Sequence, residues 1–387
     1  GSYAGDSLTT ADKNIAIGHE ALSSANNAVA NLIGIGYQAG MSASAGSNIH
    51  IGAESGKSNS GNGFIGVGLK AGYSNTSGSW NTNIGYFAGY ANTSNSNRTV
   101  VGTEAALYNT GADNTIIGYQ AAYGASGSST GDKSTIIGYY AGKAITSGNS
   151  NVLIGYNAGL ALTVADDNVF IGNNAGDAFN NTDGDGRNVA VGSESGGALT
   201  TGIYNTFLGY QSGNSAGGTS ATVTTGNFNT MVGYQARGSA TGAANQNSFG
   251  YAAACTGDNQ ITLGNTSIGT IRAQVTSITA ISDERDKTDI ETLPYGLDFV
   301  DSLQPKRFVW DNRAETDGDG NEFFSANKGK KDIGFIAQEL QTVDDDYLNL
   351  VYDADPEKLE ATYGRLIPVL VKAIQDLSAK VKALENA

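Results

Sequence analysis

Asn151-Val152-Leu153-Ile154-Gly155-Tyr156-Asn157-Ala158-Gly159 is one copy of a unit that recurs along most of the chain. Asn14-Ile15-Ala16-Ile17-Gly18-His19-Glu20-Ala21 opens the series, and Asn114-Thr115-Ile116-Ile117-Gly118-Tyr119-Gln120-Ala121 and Asn205-Thr206-Phe207-Leu208-Gly209-Tyr210-Gln211-Ser212-Gly213 continue it. The glycine that follows the β-branched run marks the register. It occupies positions 18, 36, 52, 68, 85, 102, 118, 138, 155, 172, 192, 209, 233, 250 and 264, a repeat of about 17 residues with occasional insertions. Such a period is too short for a helical hairpin and suits one coil of a parallel β-solenoid, with two short strands and two turns per coil.

The columns of this repeat carry chemistry. The residues one and three before the marker glycine are Ile, Val, Leu, Phe or Thr almost throughout, share one strand face, and are expected to fill the coil interior. Three residues after the glycine stands Ala or Ser (Ala39, Ala71, Ala88, Ala141, Ala158, Ser212), as a narrow interior demands. The next position is often glycine (Gly40, Gly72, Gly89, Gly142, Gly159), for turns needing positive φ. Segments between units, such as Gly124-Ala125-Ser126-Gly127-Ser128-Ser129, read as surface turns. The residue two before the glycine changes from Ala16, His50 and Asn83 to Val100, Ile116, Ile136, Leu153 and Phe170, then Phe207 and Met231. It is expected to face outward, with its apolar stretch covered by neighbouring chains in a threefold bundle. His50 is then an exposed or interface residue of that column with no functional role.

This unit resembles the head repeats of trimeric autotransporter adhesins. The resemblance covers most of residues 14–267 and implies a left-handed β-roll in a homotrimer. The tyrosines after the marker glycine (Tyr37, Tyr86, Tyr119, Tyr139, Tyr156, Tyr210, Tyr234, Tyr251) form either a packing ladder or a stacking surface for sugars.

Beyond residue 281 the composition changes. Residues 1–281 hold 9 Lys+Arg and 14 Asp+Glu, whereas the much shorter 282–387 holds 13 and 23 and all four prolines. This divides the chain into a repeat domain (1–267), a β-rich connector (268–281) and a charged C-terminal domain (282–387). An acidic chain without a basic cluster is not built to neutralise nucleic-acid phosphates. No apolar run reaches membrane-spanning length and no signal peptide opens the chain. Two histidines and the single Cys255 argue against a transition-metal site or a disulfide framework, and no cofactor is expected. Gly1-Ser2 in place of a Met reads as an excised segment, with any N-terminal anchor upstream.

In the C-terminal domain, Leu293 to Val300 reads as a short helix, Pro305 to Trp310 as a strand, and 315–321 as a hairpin tip. Lys331 to Leu340 reads as a return strand running into a helix. Residues 363–385 read as a helix in which Ile367, Ile374 and Val381 alternate with Leu370, Leu377 and Leu384 at coiled-coil spacing. That seam either joins chains or packs back on its own domain.

At the junction stands Ser282-Asp283-Glu284-Arg285-Asp286-Lys287. Ser and Lys five residues apart make either a self-cleavage dyad, the Lys serving as base when neutral, or an ordinary polar linker. This hexapeptide, with Leu303-Gln304-Pro305-Lys306-Arg307-Phe308, Gly334-Phe335-Ile336-Ala337-Gln338-Glu339 and the closing helix, resembles the C-terminal intramolecular chaperone domain of endosialidase-type phage tail spikes and fibres. The resemblance implies a trimeric α/β domain that drives folding of the fibre and is released by cleavage between Ile281 and Ser282. Ser282 is then nucleophile and Lys287 general base, while Arg285 either lowers the Lys287 pKa or positions the chain. Asp283 and Asp286 must point away or be otherwise paired.

The expected function is a structural, receptor-binding tail fibre or spike on a virion, whose partner is a host cell-surface receptor, a glycan or another surface molecule. The alternatives are a glycan-degrading tail spike and a bacterial surface adhesin with an uncleaved chaperone. A glycosidase needs carboxylate pairs about 5–10 Å apart. Glu20, Glu54, Glu104 and Glu194 all fall two residues after a marker glycine, in a column that reads as an exposed rim. Thr182-Asp183-Gly184-Asp185-Gly186, and Asp317 with Asp319, read as polar turns rather than calcium loops.

Overall fold

The computed structural model describes residues 1–387 except 27, 128, 215–221, 275–277, 279–281, 317–321, 324–326, 354–355 and 357–358. The chain divides into two compact units, Gly1–Asn265 and the residues from Thr266 onward.

The first unit is a parallel β-solenoid with one three-residue strand per coil. Fifteen strands, from β1 (Ile15–Ile17) to β15 (Ile261–Leu263), form a single sheet in sequence order with matched register. Ile136 pairs with Leu153, Leu153 with Phe170, and Phe170 with Ala190. The second strand expected in each coil is replaced by turns. These are held by left-handed residues two and four positions after the marker glycine, such as Asn157 (φ 56°) and Gly159 (φ 60°).

The inside and outside of the coil are the reverse of the sequence expectation. The middle residue of each strand, two before the glycine, points inward: Val100, Ile116, Leu153, Phe170, Phe207 and Met231 are fully buried. The flanking columns, expected inside, face out. Ile17 is 56% exposed, Leu208 45% and Ile84 39%. In a three-residue strand the two ends share one face and the middle residue has the other, so one wrong choice inverts all three columns. The small residues three after the glycine do line the interior, with Ala88, Ala141, Ala158 and Ser212 fully buried.

The asparagine that opens each unit forms a ladder up the interior. The Oδ1 of Asn151 accepts the N–H of Asn168 at 3.0 Å, Asn168 that of Asn188 at 3.1 Å, and Asn188 that of Asn205 at 3.0 Å. Each Nδ2 also reaches a turn carbonyl, as from Asn188 to Gly202 O at 3.0 Å. Turn backbone enclosed on two sides therefore finds partners that water cannot supply.

His50, expected at the surface, is instead buried in the core with its ring stacked on Phe64 at 5.1 Å. Burial pulls its pKa from 6.5 down to about 4. As pH falls, the unfolded chain takes up this proton first, so stability present above about pH 6.5 is lost progressively towards pH 4. The full loss is about 3 kcal/mol. Unfolding midpoints measured between pH 7 and 4.5 should fall more steeply for the native chain than for His50→Asn. Parallel curves would show that the ring is not sequestered.

In the second unit, α1 (Leu297–Ser302) starts after Gly296, later than expected. Strand β16 (Lys306–Val309) leads to the hairpin β17 (Glu315–Thr316) and β18 (Glu322–Phe323), whose connecting Asp317 and Asp319 lie outside the described residues. Strand β19 (Lys331–Gly334) pairs antiparallel with β16, and α2 (Ala337–Gln341), β20 (Val351–Tyr352), β21 (Glu360–Ala361) and α3 (Leu366–Glu385) complete the unit. Leu340, Leu348, Leu350, Leu366 and Val369 form its core. Pro368 sits in the first turn of α3, where a backbone N–H has no intrahelical partner to lose. The described residues of the connector 268–281 form no strand.

Helix α3 carries apolar residues on two faces. Leu366, Val369 and Ala373 are buried, and the helix packs against α1. The heptad seam points elsewhere and is bare, with Ile367 63%, Ile374 66% and Leu384 78% exposed. The seam does not pack back on its own domain.

Candidate functional site

Ser282 and Lys287 are brought together by a single 3₁₀ turn, Glu284–Asp286. Asp283 caps it, its Oδ1 accepting the Arg285 N–H at 2.9 Å. The Lys287 N–H donates to Glu284 O at 3.1 Å and closes the turn. Lys287 then leaves in extended conformation (φ −130°, ψ 145°) and its side chain folds back. Its Nζ lies 2.6 Å from Ser282 Oγ and donates to Ser282 O at 3.0 Å.

The carboxylate of Asp283 is fully engaged. Arg285 Nε and Nη2 donate to Asp283 Oδ1 and Oδ2 at 3.0 and 2.7 Å, which holds the carboxyl below its usual range and raises the guanidinium. Arg285 is neutralised by Asp283, so positioning of the chain is the role the geometry gives it. Among the described residues, no carboxylate lies within ion-pair distance of Lys287. The double use of Asp283, as cap and as guanidinium partner, is a contribution that reading Ser and Lys alone missed. Its signal is the Asp-x-Arg spacing at a turn start.

Residues 282–292 are all exposed in the single chain. The hydrogen-bonding geometry of Ser282 and Lys287 is thus present in the single chain, open to water. Ile281, on the other side of the expected scissile bond, lies outside the described residues.

The strands singled out in the sequence are neighbours. Lys306 pairs with Gly334 across β16 and β19, and Lys306 Nζ meets Glu339 Oε1 at 3.4 Å. Leu303, Gln304, Phe335 and Gln338 border a cavity of about 380 Å³ beside this pair.

Residues 282–349 match the family model for the chaperone of endosialidase. The match begins at Ser282 and takes in the hexapeptide, β16, β19 and α2, so this stretch of the C-terminal unit is similar to that chaperone domain. No curated protein and no solved structure matches the chain.

The other candidate residues are absorbed by ladders along the solenoid. Glu20 accepts from Gln38 at 2.5 Å, Glu104 from Gln120 at 2.6 Å and Glu194 from Gln211 at 2.7 Å. Glu54 meets Lys57 at 3.1 Å and Lys70 at 3.4 Å. Burial opposes the shift, but the two ammonium groups prevail and hold Glu54 below its ordinary pKa, the wrong direction for a glycosidase acid. Burial moves Asp177 upward, with Glu194 adding to it, yet Glu194 is already committed to Gln211.

Six of the eight column tyrosines stack on one another, in the runs Tyr119, Tyr139, Tyr156 and Tyr210, Tyr234, Tyr251. Tyr139 lies 5.1 Å from Tyr119 and 5.3 Å from Tyr156, with interplanar angles of 17° and 8°. Ring faces covered in this way leave mainly edges for solvent, which favours the packing ladder over a sugar platform. In the Thr182–Gly186 turn, Asp185 pairs with Arg187 at 3.0 Å, which suits a polar turn and not a cation loop.

Proposed function

We propose that the chain is a trimeric tail-fibre or tail-spike segment whose chaperone domain folds the solenoid and then releases itself. The carrying observation is Lys287 Nζ at 2.6 Å from Ser282 Oγ, with no carboxylate among the described residues pairing the ammonium, at the entrance of a segment matching the chaperone of endosialidase.

The chemistry follows from these atoms. Once assembly desolvates the dyad and Lys287 is neutral, Nζ takes the Ser282 hydroxyl proton while Oγ attacks the carbonyl carbon of Ile281. The bond from that carbon to the Ser282 nitrogen breaks, and the nitrogen takes the proton from Lys287. The product is an ester between Ile281 and Ser282 Oγ. Water hydrolyses it to the Ile281 carboxylate and restores the Ser282 hydroxyl.

Assembly of three chains is supported by two bare apolar stripes. One is the outward sheet face of the solenoid, including Ile17, Ile51, Ile84, Ile117 and Leu208; the other is the seam of α3. Contiguous apolar surface of this length is uncommon on a monomer. The seam is barely three heptads long, too short to associate strongly by itself, and would act together with the sheet face. Sedimentation equilibrium of the fibre left after cleavage is expected to give three chains per particle; a monomer would remove this part of the proposal.

In this reading the released fibre acts outside the cell, on a virion, and contacts a host surface receptor of glycan type. Binding to a glycan panel by the cleaved fibre tests that step. The depolymerase reading has less support, because the carboxylates discussed above are held in ladders and ion pairs.

A further inference from the structure

Arg98 occupies the asparagine column of the solenoid. Its N–H takes the ladder position, donating to Asn81 Oδ1 at 3.2 Å, but its long side chain runs into the coil and is fully buried. Nη2 donates to Asn109 O at 2.6 Å. Among the described residues, Nε and Nη1 of Arg98 meet no acceptor, and neither does Nδ2 of the adjacent Asn109. Asn109 Oδ1 already accepts from Asn114 at 3.4 Å.

This is where a second interior asparagine ladder ends. Asn75 Nδ2 donates to Asn59 Oδ1 at 2.5 Å and Asn92 Nδ2 to Asn75 Oδ1 at 3.3 Å. The next rung, Asn109, does not continue the pattern. In later coils the same corner is filled by Ile145, Leu162, Phe179 and Leu199, all buried. The guanidinium thus sits at a polar-to-apolar boundary beside donors that lack acceptors. Asp132 is the carboxylate whose charge reaches it, yet Asp132 Oδ1 is taken by the Ala112 N–H at 2.7 Å. Burial lowers the Arg98 pKa to about 10, which still leaves it charged at neutral pH. An uncompensated buried cation and several orphaned N–H groups are each costly, and one acceptor-only ligand would satisfy both.

We propose that a small monovalent anion of the halide class is enclosed between Arg98 and Asn109 as the solenoid folds. The unpartnered groups of the site are all donors, so it selects against ligands that carry their own protons. Its full burial excludes an anion attached to a larger molecule.

Two measurements on the full chain test this. Crystals grown from sodium chloride, with diffraction recorded at a wavelength where chlorine but not oxygen scatters anomalously, should show a peak bonded to Arg98 and Asn109. Oxygen-like density there, without anomalous signal, overturns the proposal. At constant ionic strength, replacing chloride by gluconate should lower the native unfolding midpoint by roughly 2 °C or more. Arg98→Asn, which restores the column residue, should show no such response, and equal responses of the two chains overturn the proposal. If Arg98→Asn does not fold, the diffraction result on the native chain decides alone.

Discussion

Gly209→Ala is expected to stop the solenoid from stacking at that coil, with a loss of about 3 kcal/mol or more and a sharp drop in soluble protein. Two effects add. Gly209 has φ of 128°, a conformation that side-chain-bearing residues rarely adopt. A Cβ there would also lie 2.6 Å from Gly233 O and 2.8 Å from Gly233 C in the next coil, closer than any real contact allows. Backbone is met by backbone, so no side-chain rotation relieves the clash. Gly184 separates the two effects: it also has positive φ (88°), but nothing lies within 4 Å of its would-be Cβ. Gly184→Ala should therefore cost only the dihedral strain, about 1 kcal/mol. Thermal unfolding of both variants beside the native chain checks this, and equal losses would contradict the stacked-glycine account. In a repeat array each coil depends on its neighbours, so the damage at Gly209 should spread to the coils beside it.

The same stacking explains why the period was readable in the sequence while its polarity was not. A marker glycine is required wherever backbone rests on backbone, so its recurrence set the coil boundary without ambiguity. Which column faced inward was a different problem. The outer column one before the glycine is uniformly apolar (Ile17, Ile35, Ile84, Leu208) and the one three before it is β-branched almost throughout, whereas the buried middle column admits Gly34, His50, Gly66 and Asn83. Apolar uniformity usually marks a core. Here the asparagine ladder and small alanines let the core accept polar and absent side chains, and the uniform columns lie on the bare sheet face. Helix α3 was legible to within a few residues because its heptads span five turns. Its second apolar face, Leu366, Val369 and Ala373, was not separated from the seam.

At the junction, spacing alone left Ser282 and Lys287 as either a dyad or a polar linker and the resemblance favoured the dyad, while the short turn explains how a separation of five brings the two side chains together. The contribution of Asp283 depended on knowing that the intervening residues form a capped 3₁₀ turn. Two variants follow with large expected effects. Lys287→Met should abolish cleavage, since no other base stands beside Ser282 Oγ in the turn. Asp283→Ala removes the cap and the Arg285 partner while leaving both reacting side chains. It should slow cleavage by roughly tenfold, because the turn that holds the two side chains together loses its cap. Time courses on gels distinguish the two, and an Asp283→Ala chain cleaving at the native rate would remove the positioning role.

The most direct test is whether the chain cuts itself at the expected bond. The full chain and its Ser282→Ala and Lys287→Met variants should be purified as assembled particles, then compared by denaturing gel and intact mass. The native chain is expected to yield a fragment of about 106 residues beginning at Ser282, with both variants remaining whole. An assembled native chain that stays intact, or a Ser282→Ala chain that is cut at the same bond, would contradict the assignment.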